Sequence, residues 1–560
     1  MLIGIDVGGT YTDGVLFSAG KIAATSKRPT SEEDIRACVL EVLDDLLDKA
    51  GPGEIERIVL STTLVTNILA TGQGEDTALI LLPGYGLPHD AYQISPATYY
   101  LKGAIDFRGR EIEPLEPGEL KAVCREIADS GVKRAAVAAK FANRNDSLEK
   151  QVRDYINRQY PDIIVSISSE VSAKLNFPRR AASTYYTAMT IKEWNRFVDD
   201  IEKALADRKL FCEAHVLKAD GGTVPLNVAR RMPCETVFSG PAASTMGALA
   251  LSRDEYNSVV LDIGGTTTDI ALIIGGEPLY ASKGARIEEH YTQINAFAVR
   301  SIPLGGDSAL TAGEQGVKLE SFRRGPAVCF GGQTPTVTDV FNVYNQLAIG
   351  DEEHSRKALQ ELAAASGQDM EALCRDVINQ VKERVLKSIR EMFEEWENEP
   401  AYKVWEVIHR RRFELQRMIG IGAAARAIVP LLADEMNVPC FLHQYADVAN
   451  ALGASVVRPT LSVQLHIDTQ TDSCAIDPGG IKTGLKLNRN FQLQDAKEMA
   501  RQQLEEIGRA RGMQDYTSQY KFFMEEQFNM IRGYNSSGKL FEVGIQVTPG
   551  FIEEFKGVEI

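Results

Sequence analysis

At 560 residues, 44% hydrophobic and 25% charged, the chain is too long for one hydrophobic core and too apolar for a disordered or fibrous protein. Three or four domains, or two large lobes with insertions, are therefore expected, with a cleft between them. A formal charge of -16 argues against a nucleic-acid partner, and eight cysteines and seven histidines without a C-x-x-C or H-x-x-x-H pair argue against disulfide, zinc or histidine-metal chemistry and for reduced, cytoplasmic thiols.

The N-terminus, Met1-Leu-Ile-Gly-Ile-Asp6, carries no basic leader, so neither a signal peptide nor a membrane anchor is expected, and no apolar run is long enough to span a bilayer. Apolar runs at 2–5, 57–60, 78–82, 135–139 and 163–167 read as buried strands. Between them, 32–49 and 118–130 carry apolar residues at helical spacing. The alternation indicates an α/β layer structure. Pro178 interrupts the pattern, and a long helical stretch follows to Asp207, so a first lobe is placed at 1–175.

A second α/β region is expected from about Val216, within a second lobe at 176–458. It holds Ser239-Gly-Pro-Ala-Ala-Ser-Thr-Met-Gly247, a strand at 258–261 and a helical insertion at about 350–400. In that insertion Leu373, Val377, Val381, Val385, Ile389, Met392 and Trp396 mark the apolar stripe of one long amphipathic helix. A C-terminal α+β region at 459–560 ends in a hairpin-like turn at Asn535-Ser-Ser-Gly538.

Two segments of the chain repeat one another. Asp6-Val-Gly-Gly-Thr-Tyr-Thr-Asp13 and Asp262-Ile-Gly-Gly-Thr-Thr-Thr-Asp269 share D-x-G-G-T-x-T-D, each directly after an apolar strand. One copy could be turn chemistry alone, but a turn does not require the same carboxylates and hydroxyls around it twice. A triphosphate needs backbone N–H groups at close range, which Gly8, Gly9, Gly264 and Gly265 permit because they carry no side chain. Thr10, Thr12, Thr266 and Thr267 with Asp13 and Asp269 complete the candidate phosphate sites. Asp6 and Asp262 would repel phosphate, so they are assigned to Mg²⁺ or its water shell and to catalysis. Two such hairpins from facing halves would clamp ATP between them.

Other nucleotide folds fit less well. There is no G-x-x-x-x-G-K-[ST]. Gly420-Ile-Gly-Ala-Ala-Ala425 matches the dinucleotide fingerprint, but Arg410-Arg-Arg-Phe-Glu-Leu-Gln-Arg417 before it makes a poor buried strand. The turn, with Gly420 and Gly422, and the helix after it are read as a cradle for adenosine.

These motifs together resemble the hydantoinase/5-oxoprolinase A-type family, members of the actin-like ATPase superfamily. The likeness runs over about residues 1–457. Ser61-Thr-Thr-Leu-Val-Thr-Asn67 is similar to the family's S-T-T-x-x-T-N segment, Ser239-Gly-Pro-Ala-Ala243 to its S-G-P-A helix start, and Pro335-Thr-Val-Thr-Asp339 to its E-P-T-V-T-D segment. The resemblance implies duplicated ribonuclease H-like α/β lobes around a nucleotide cleft, and ATP-dependent opening of a cyclic amide, usually with a separate B-type subunit in an oligomer. It implies that Thr63 and Asn67, with Thr62, bind substrate or the γ-phosphate, although a helix N-cap with polar first-turn residues would look the same. Where relatives have a glycine triplet, this chain reads Ile302-Pro-Leu-Gly-Gly-Asp-Ser308, so Gly305 and Gly306 stand at a further phosphate contact. Two other functions stay open: an ATP-dependent ketone carboxylase subunit, and an actin-like ATPase switch acting on a partner protein.

Overall fold

Leu2–Val7 forms β1, a strand whose six residues are all buried. It turns back through β2 (Tyr11–Ser18) and β3 (Lys21–Pro29) as an antiparallel meander. Helix α1 (Ile35–Lys49) then crosses over to β4 (Arg57–Thr62), which runs parallel to β1, and α2 (Leu64–Ala70) follows. The computed structural model describes residues 1–559 apart from 32–33, 51–53, 314–315, 400–411, 488–489 and 533–534.

The strands expected at 78–82, 135–139 and 163–167 do not join this sheet. As β5 (Thr77–Leu82), β7 (Arg134–Ala139) and β8 (Ile164–Ile167) they build a separate parallel sheet with β6 (Thr98–Tyr100), in the order β8-β7-β5-β6. Helices α3 (Pro117–Asp129) and α4 (Ser147–Gln159) connect the strands. This inserted sheet is pinned to the long helix α5 (Phe177–Asp207) by polar groups in its interior. Arg180 Nη2 donates to the Ala139 carbonyl at 2.5 Å, while Glu149 accepts from the Ala139 and Ser169 N–H groups at 2.7 and 2.9 Å.

The first sheet is completed only after the insertion. β9 (Glu213–Leu217) lies parallel to β4, and β10 (Thr223–Pro225) lies beyond it, giving the order β10-β9-β4-β1-β2-β3. The region from Val216 onward, expected in the second lobe, thus starts as an edge of the first sheet. Helix α6 (Ser239–Ser252) then leads to the second lobe.

There the plan repeats. β11 (Ser258–Ile263) pairs antiparallel with β12 (Thr268–Ile274), on whose far side lie β13 (Glu277–Pro278) and β14 (Val299–Ile302). A hairpin of β15 (Ser308–Gly313) and β16 (Gly316–Arg323) and the helices α7 (Val337–Tyr344), α8 (Glu352–Ser366) and α9 (Met370–Glu397) follow. The stripe expected from Leu373 to Met392 is the buried face of α9, with Trp396 partly buried at its end. β17 (Arg417–Ile421) returns parallel to β11, then come α10 (Ala425–Glu435), β18 (Cys440–Leu442), parallel to β17, and α11 (Ala449–Val456). The β17 strand corrects the sequence reading: it ends in the Gly420-Ile-Gly422 turn itself, and its five residues are all buried.

Both lobes therefore share an antiparallel hairpin at the centre and two parallel strands reached by helical crossovers, the duplicated ribonuclease H-like plan. The lobes are tied by their last helices: α11, reached through the second lobe, packs on β1, β2 and β4 of the first and against α6. After it, β19 (Leu461–Asp468), β20 (Ser473–Asp477), β21 (Gly480–Thr483), helix α12 (Leu493–Ala510), β22 (Tyr520–Arg532) and β23 (Asn535–Val547) form an antiparallel sheet, β21-β20-β19-β23-β22, with α12 packed on β19 and β23. Asn535–Gly538, expected as a hairpin turn, belongs to β23, where Asn535 pairs with Arg532 and Gly538 with Met530 of β22. Among the described residues no helix is long and apolar enough to cross a membrane, and all eight cysteines are free thiols.

One buried group in the first sheet ties stability to pH. His215, on β9, is 4% exposed, with Nδ1 3.2 Å from the Thr223 hydroxyl. Desolvation, with the nearby Arg57 cation, lowers its pKa to about 4 despite Glu213 at 3.6 Å. The imidazole is neutral in the fold but gains a proton when the chain unfolds, so its contribution is fully present above about pH 6.5 and is lost as pH falls towards about 4. The difference corresponds to about 3 kcal/mol. Urea midpoints between pH 7 and 4.5 should fall less steeply for His215→Gln than for the parent; identical slopes would remove His215 from the account.

Candidate nucleotide site

The two repeated motifs fold as the same object. In the first, Asp6 pairs with Asp13 across β1–β2, and the Gly8 N–H donates to the Tyr11 carbonyl at 3.0 Å. In the second, Asp262 pairs with Asp269 across β11–β12, and the Gly264 N–H donates to the Thr267 carbonyl at 3.0 Å. The turns face each other: a methyl group built on Gly265 would lie 3.3 Å from the Thr10 hydroxyl of the opposite turn.

Between them lies a cavity of about 670 Å³, within the range of small-molecule and cofactor sites. Asp6, Gly8, Gly9, Thr10, Asp13, Thr63, Asp262, Gly264, Gly265, Thr266, Thr267, Asp269, Gly306 and Gly422 line it. Four residues expected at the site are set back. Thr12 is buried with its hydroxyl 3.0 Å from that of Thr30, because strand alternation turns it inward between Tyr11 and Asp13. Asn67 sits a turn along α2 and does not reach the wall. Gly420 is packed against Leu442, Val429 and Ala425. Gly305 lies behind the second turn, where a Cβ would come within 2.5 Å of the Gly265 backbone.

Gly305 and Gly306 thus support the second turn from beneath. The Gly306 N–H donates to the Gly264 carbonyl at 2.9 Å and the Asp307 N–H to the Gly265 carbonyl at 2.7 Å. Thr338, at the start of α7, holds the Gly306 carbonyl through both its N–H (2.8 Å) and its hydroxyl (2.9 Å). The Asp339 carboxylate accepts the Val328, Cys329 and Thr336 N–H groups and the Thr336 and Ser355 hydroxyls, at 2.6 to 3.0 Å. In this fold the Pro335–Asp339 segment is an anchor for α7 and α8.

The walls carry six carboxylates, those of Asp6, Asp13, Asp262, Asp269, Asp307 and Asp447, against three cations, Lys27, Arg323 and Arg426. Desolvation and the charge of Asp13 push Asp6 up to about 7, against the hydrogen bond from Asn450. Desolvation followed by the charge of Asp262 raises Asp269 likewise to about 7. Asp13 pairs with Lys27 Nζ at 2.7 Å and Asp307 with Arg323 at 3.1 Å, whereas among the described residues Asp6, Asp262 and Asp269 have no cationic partner within 4 Å. A divalent cation fits this donor set: the oxygens are hard ligands, and Asp6 Oδ1 is buried without a hydrogen-bond partner among the described residues. Among the described residues no three His, Cys, Asp or Glu side chains converge closely enough to form a protein-only metal cage. That suits a cation held largely through water and phosphate oxygens.

The polar end also receives a helix N-terminus. Gly240 and Pro241, in the first turn of the fourteen-residue α6, line the cavity. Its start is fixed by the S-T-T segment: the Ser239 hydroxyl donates to the Thr62 carbonyl at 3.0 Å, and the Phe238 N–H donates to the Thr66 hydroxyl at 3.3 Å. Thr62 takes the capping part, accepting the Leu64 N–H at 3.2 Å, whereas Thr63 faces the cavity. Free N–H groups and the helix dipole at such an end favour an anion. The other end is apolar, with Phe341, Leu347, Ile349 and Ile428 around the Gly422 turn, and would accept a flat heteroaromatic ring. Gly422 has φ +84, and a Cβ there would meet Asp262 Oδ1 at 2.6 Å, so no other residue fits the turn without strain.

Two residues that sequence reasoning missed join the halves. Asn450 Nδ2, in the first turn of α11, donates to Asp6 Oδ2 at 3.2 Å and to Asp262 Oδ2 at 3.0 Å, bridging the two motifs. The Ser244 hydroxyl, one turn into α6, also donates to Asp262 Oδ2. An asparagine in Ala449-Asn-Ala-Leu-Gly453 carries no local signal; its role exists only because α11 crosses to β1.

A family model described as hydantoinase/oxoprolinase matches residues 180–462, and the model of that family's N-terminal region matches residues 2–160. The chain is 25% identical to caprolactamase subunit alpha of Pseudomonas jessenii over 383 residues, which is 62% of this chain and 55% of that one. It is 25% identical to the acetophenone carboxylase gamma subunit of Aromatoleum aromaticum over 387 residues, 60% and 52% of the two chains. It therefore spans about half the length of these curated relatives. In fold it resembles the ATP-dependent caprolactamase crystal structure from Pseudomonas jessenii, with a TM-score of 0.69 and 19% identity over 97% of this chain and 87% of that one.

Proposed function

The chain belongs to the hydantoinase/oxoprolinase family, and from that premise we propose that it is the nucleotide-binding, A-type part of an ATP-dependent enzyme that opens a cyclic amide of the hydantoin or 5-oxoproline kind. One observation above all supports this reading: two matched carboxylate-diglycine turns face each other across a cavity, with a carboxylate oxygen of Asp6, unpartnered among the described residues, between them.

A lactam carbonyl is resonance-stabilised and a poor electrophile. Transfer of the terminal phosphoryl group of ATP to its oxygen activates the ring carbon, and water adds there. The ring C–N bond then breaks as the nitrogen takes a proton and leaves as amine, and a second water releases phosphate from the acyl phosphate to give the carboxylate. The part of this chain is positioning and charge compensation. Backbone N–H groups of the two turns and the hydroxyls of Thr10 and Thr266 cradle the phosphates, and the first turn of α6 favours their negative charge. Asp6 and Asp262 hold Mg²⁺ or its water shell, with Asn450 keeping the two carboxylates in register. Thr63, on the wall near Gly240, orients the substrate carbonyl towards the terminal phosphate. The relatives named above are subunits, which supports a B-type partner subunit for the half of the reaction that this chain does not carry.

Similarity to an acetophenone carboxylase subunit gives a second reading, in which a ketone enolate and bicarbonate are the acceptors. Steady-state ADP release separates the two. With the partner subunit present, a hydantoin or lactam should stimulate ADP release by about 10-fold or more, as a chemical step enabled only by the right acceptor would. Stimulation only by a ketone with bicarbonate would replace the amide reading by the carboxylase one. Slow turnover indifferent to every acceptor would favour an ATPase switch.

A further inference from the structure

A second cavity, of about 550 Å³, lies where five parts of the chain meet: residues 170–174, Ser183 and Thr187 of α5, the stretch 218–235, the loop 293–295, and the C-terminal sheet with the end of α12. It shares no wall residue with the nucleotide cavity. Four of its eight charged side chains, Glu170, Lys218, Asp220 and Glu235, are held in ion pairs. Lys218, buried, lies 3.1 Å from Asp220 and 3.5 Å from Glu235, and Lys174 donates to Asn295 Oδ1 at 3.1 Å.

Arg511, the C-cap of α12, is different. Its guanidinium is half-buried, and among the described residues it has neither a hydrogen bond nor an ion pair. Desolvation holds it below the usual arginine range even with Glu235 and Asp477 in its surroundings. Arg231, exposed on the wall, is equally unpaired among the described residues. On the acidic side Asp477 is half used: Oδ1 accepts the Ala173 N–H at 2.8 Å, whereas Oδ2 has only the Ser172 hydroxyl at 3.4 Å. Withdrawing an arginine from water without a partner is costly, so a group in this position waits for an oxyanion. The spare carboxylate oxygen near it asks for an N–H donor.

We propose that this cavity binds a small carboxylic acid that also carries N–H donors, an amino acid or an N-acylamino acid, with its carboxylate on Arg511 and Arg231 and its N–H groups towards Asp477 and Glu235. The site closes the seam between the C-terminal sheet and the two lobes, so occupancy should stiffen that seam. Nothing in the proposal requires nucleotide, and its failure would leave the ATP reading standing.

The test is calorimetric titration and thermal shift of the full chain with free α- and ω-amino acids, N-acetylamino acids, simple dicarboxylates and inorganic phosphate. At least one acid bearing N–H should bind with a sub-millimolar Kd, and Arg511→Gln should weaken it by about 10-fold or more, the scale of one charge-assisted hydrogen-bonded contact. Ala510→Trp, which fills the rim without altering charge, should weaken it as well, and nucleotide binding at the other cavity reports that each variant is folded. No binding by any acid at about 10 mM, far above the range expected of such a pocket, overturns the proposal. So does binding unchanged in Arg511→Gln, and so does equal or tighter binding of phosphate and dicarboxylates, which would mean that charge alone is read.

Discussion

Asp262→Asn should lower nucleotide turnover by about 100-fold or more while moving the melting temperature by no more than about 3 °C. The physical case rests on separating shape from charge. Asp262 Oδ2 accepts hydrogen bonds from Ser244 and Asn450, and the carboxamide oxygen of an asparagine can accept both in the same place. Packing is therefore kept. What disappears is one of the two charges that face each other across Asn450, and with it half of the compensation offered to a divalent cation. Turnover under saturating Mg²⁺-ATP and Mg²⁺-dependent nucleotide binding are the measurements. Near-normal turnover would defeat the metal assignment, and a fall in melting temperature of about 10 °C would show instead that the carboxylate is structural.

Gly305→Ala should damage both stability and nucleotide binding, although Gly305 does not touch the cavity. A methyl group there would lie 2.5 Å from the carbonyl carbon and oxygen of Gly265 and 2.7 Å from the Gly264 carbonyl oxygen. These are backbone atoms held by the Gly306 and Asp307 N–H groups, so they cannot rotate aside as a side chain would. Overpacking of this kind costs about 1–3 kcal/mol, and the displaced turn would carry its phosphate donors with it. We expect nucleotide affinity to fall by about 10-fold or more together with stability. Gly9→Ala supplies the contrast: nothing lies within 4 Å of a Cβ at that position, so binding should weaken there while stability holds. If Gly305→Ala bound nucleotide normally, the supporting role of the 305–307 segment would be wrong.

Much of the geometry of the candidate site was legible in the sequence because its parts are local. A buried strand followed by D-x-G-G-T-x-T-D encodes its own hairpin, and the second copy doubled the signal. The long α9 helix was legible for the same reason, its apolar stripe being a property of contiguous residues. Legibility failed where a residue's neighbours are far along the chain. Thr12 and Gly420 belong to the right motifs, but strand alternation and helix packing turn them away from the cavity. Gly305 supports the second turn from behind rather than lining the cavity.

The amino-acid sequence by itself determined the two hairpins, the carboxylates that begin and end them, and the α/β alternation, since hydrogen bonding within a turn and apolar periodicity are short-range. Only the tertiary structure decided that residues 213–225 complete the first sheet around an inserted one. The same holds for α11 crossing over to bring Asn450 between Asp6 and Asp262, and for Arg511 meeting residues almost three hundred positions away around a second cavity. Those outcomes depend on which faces bury each other when the lobes pack, and packing is not written in any one stretch of chain.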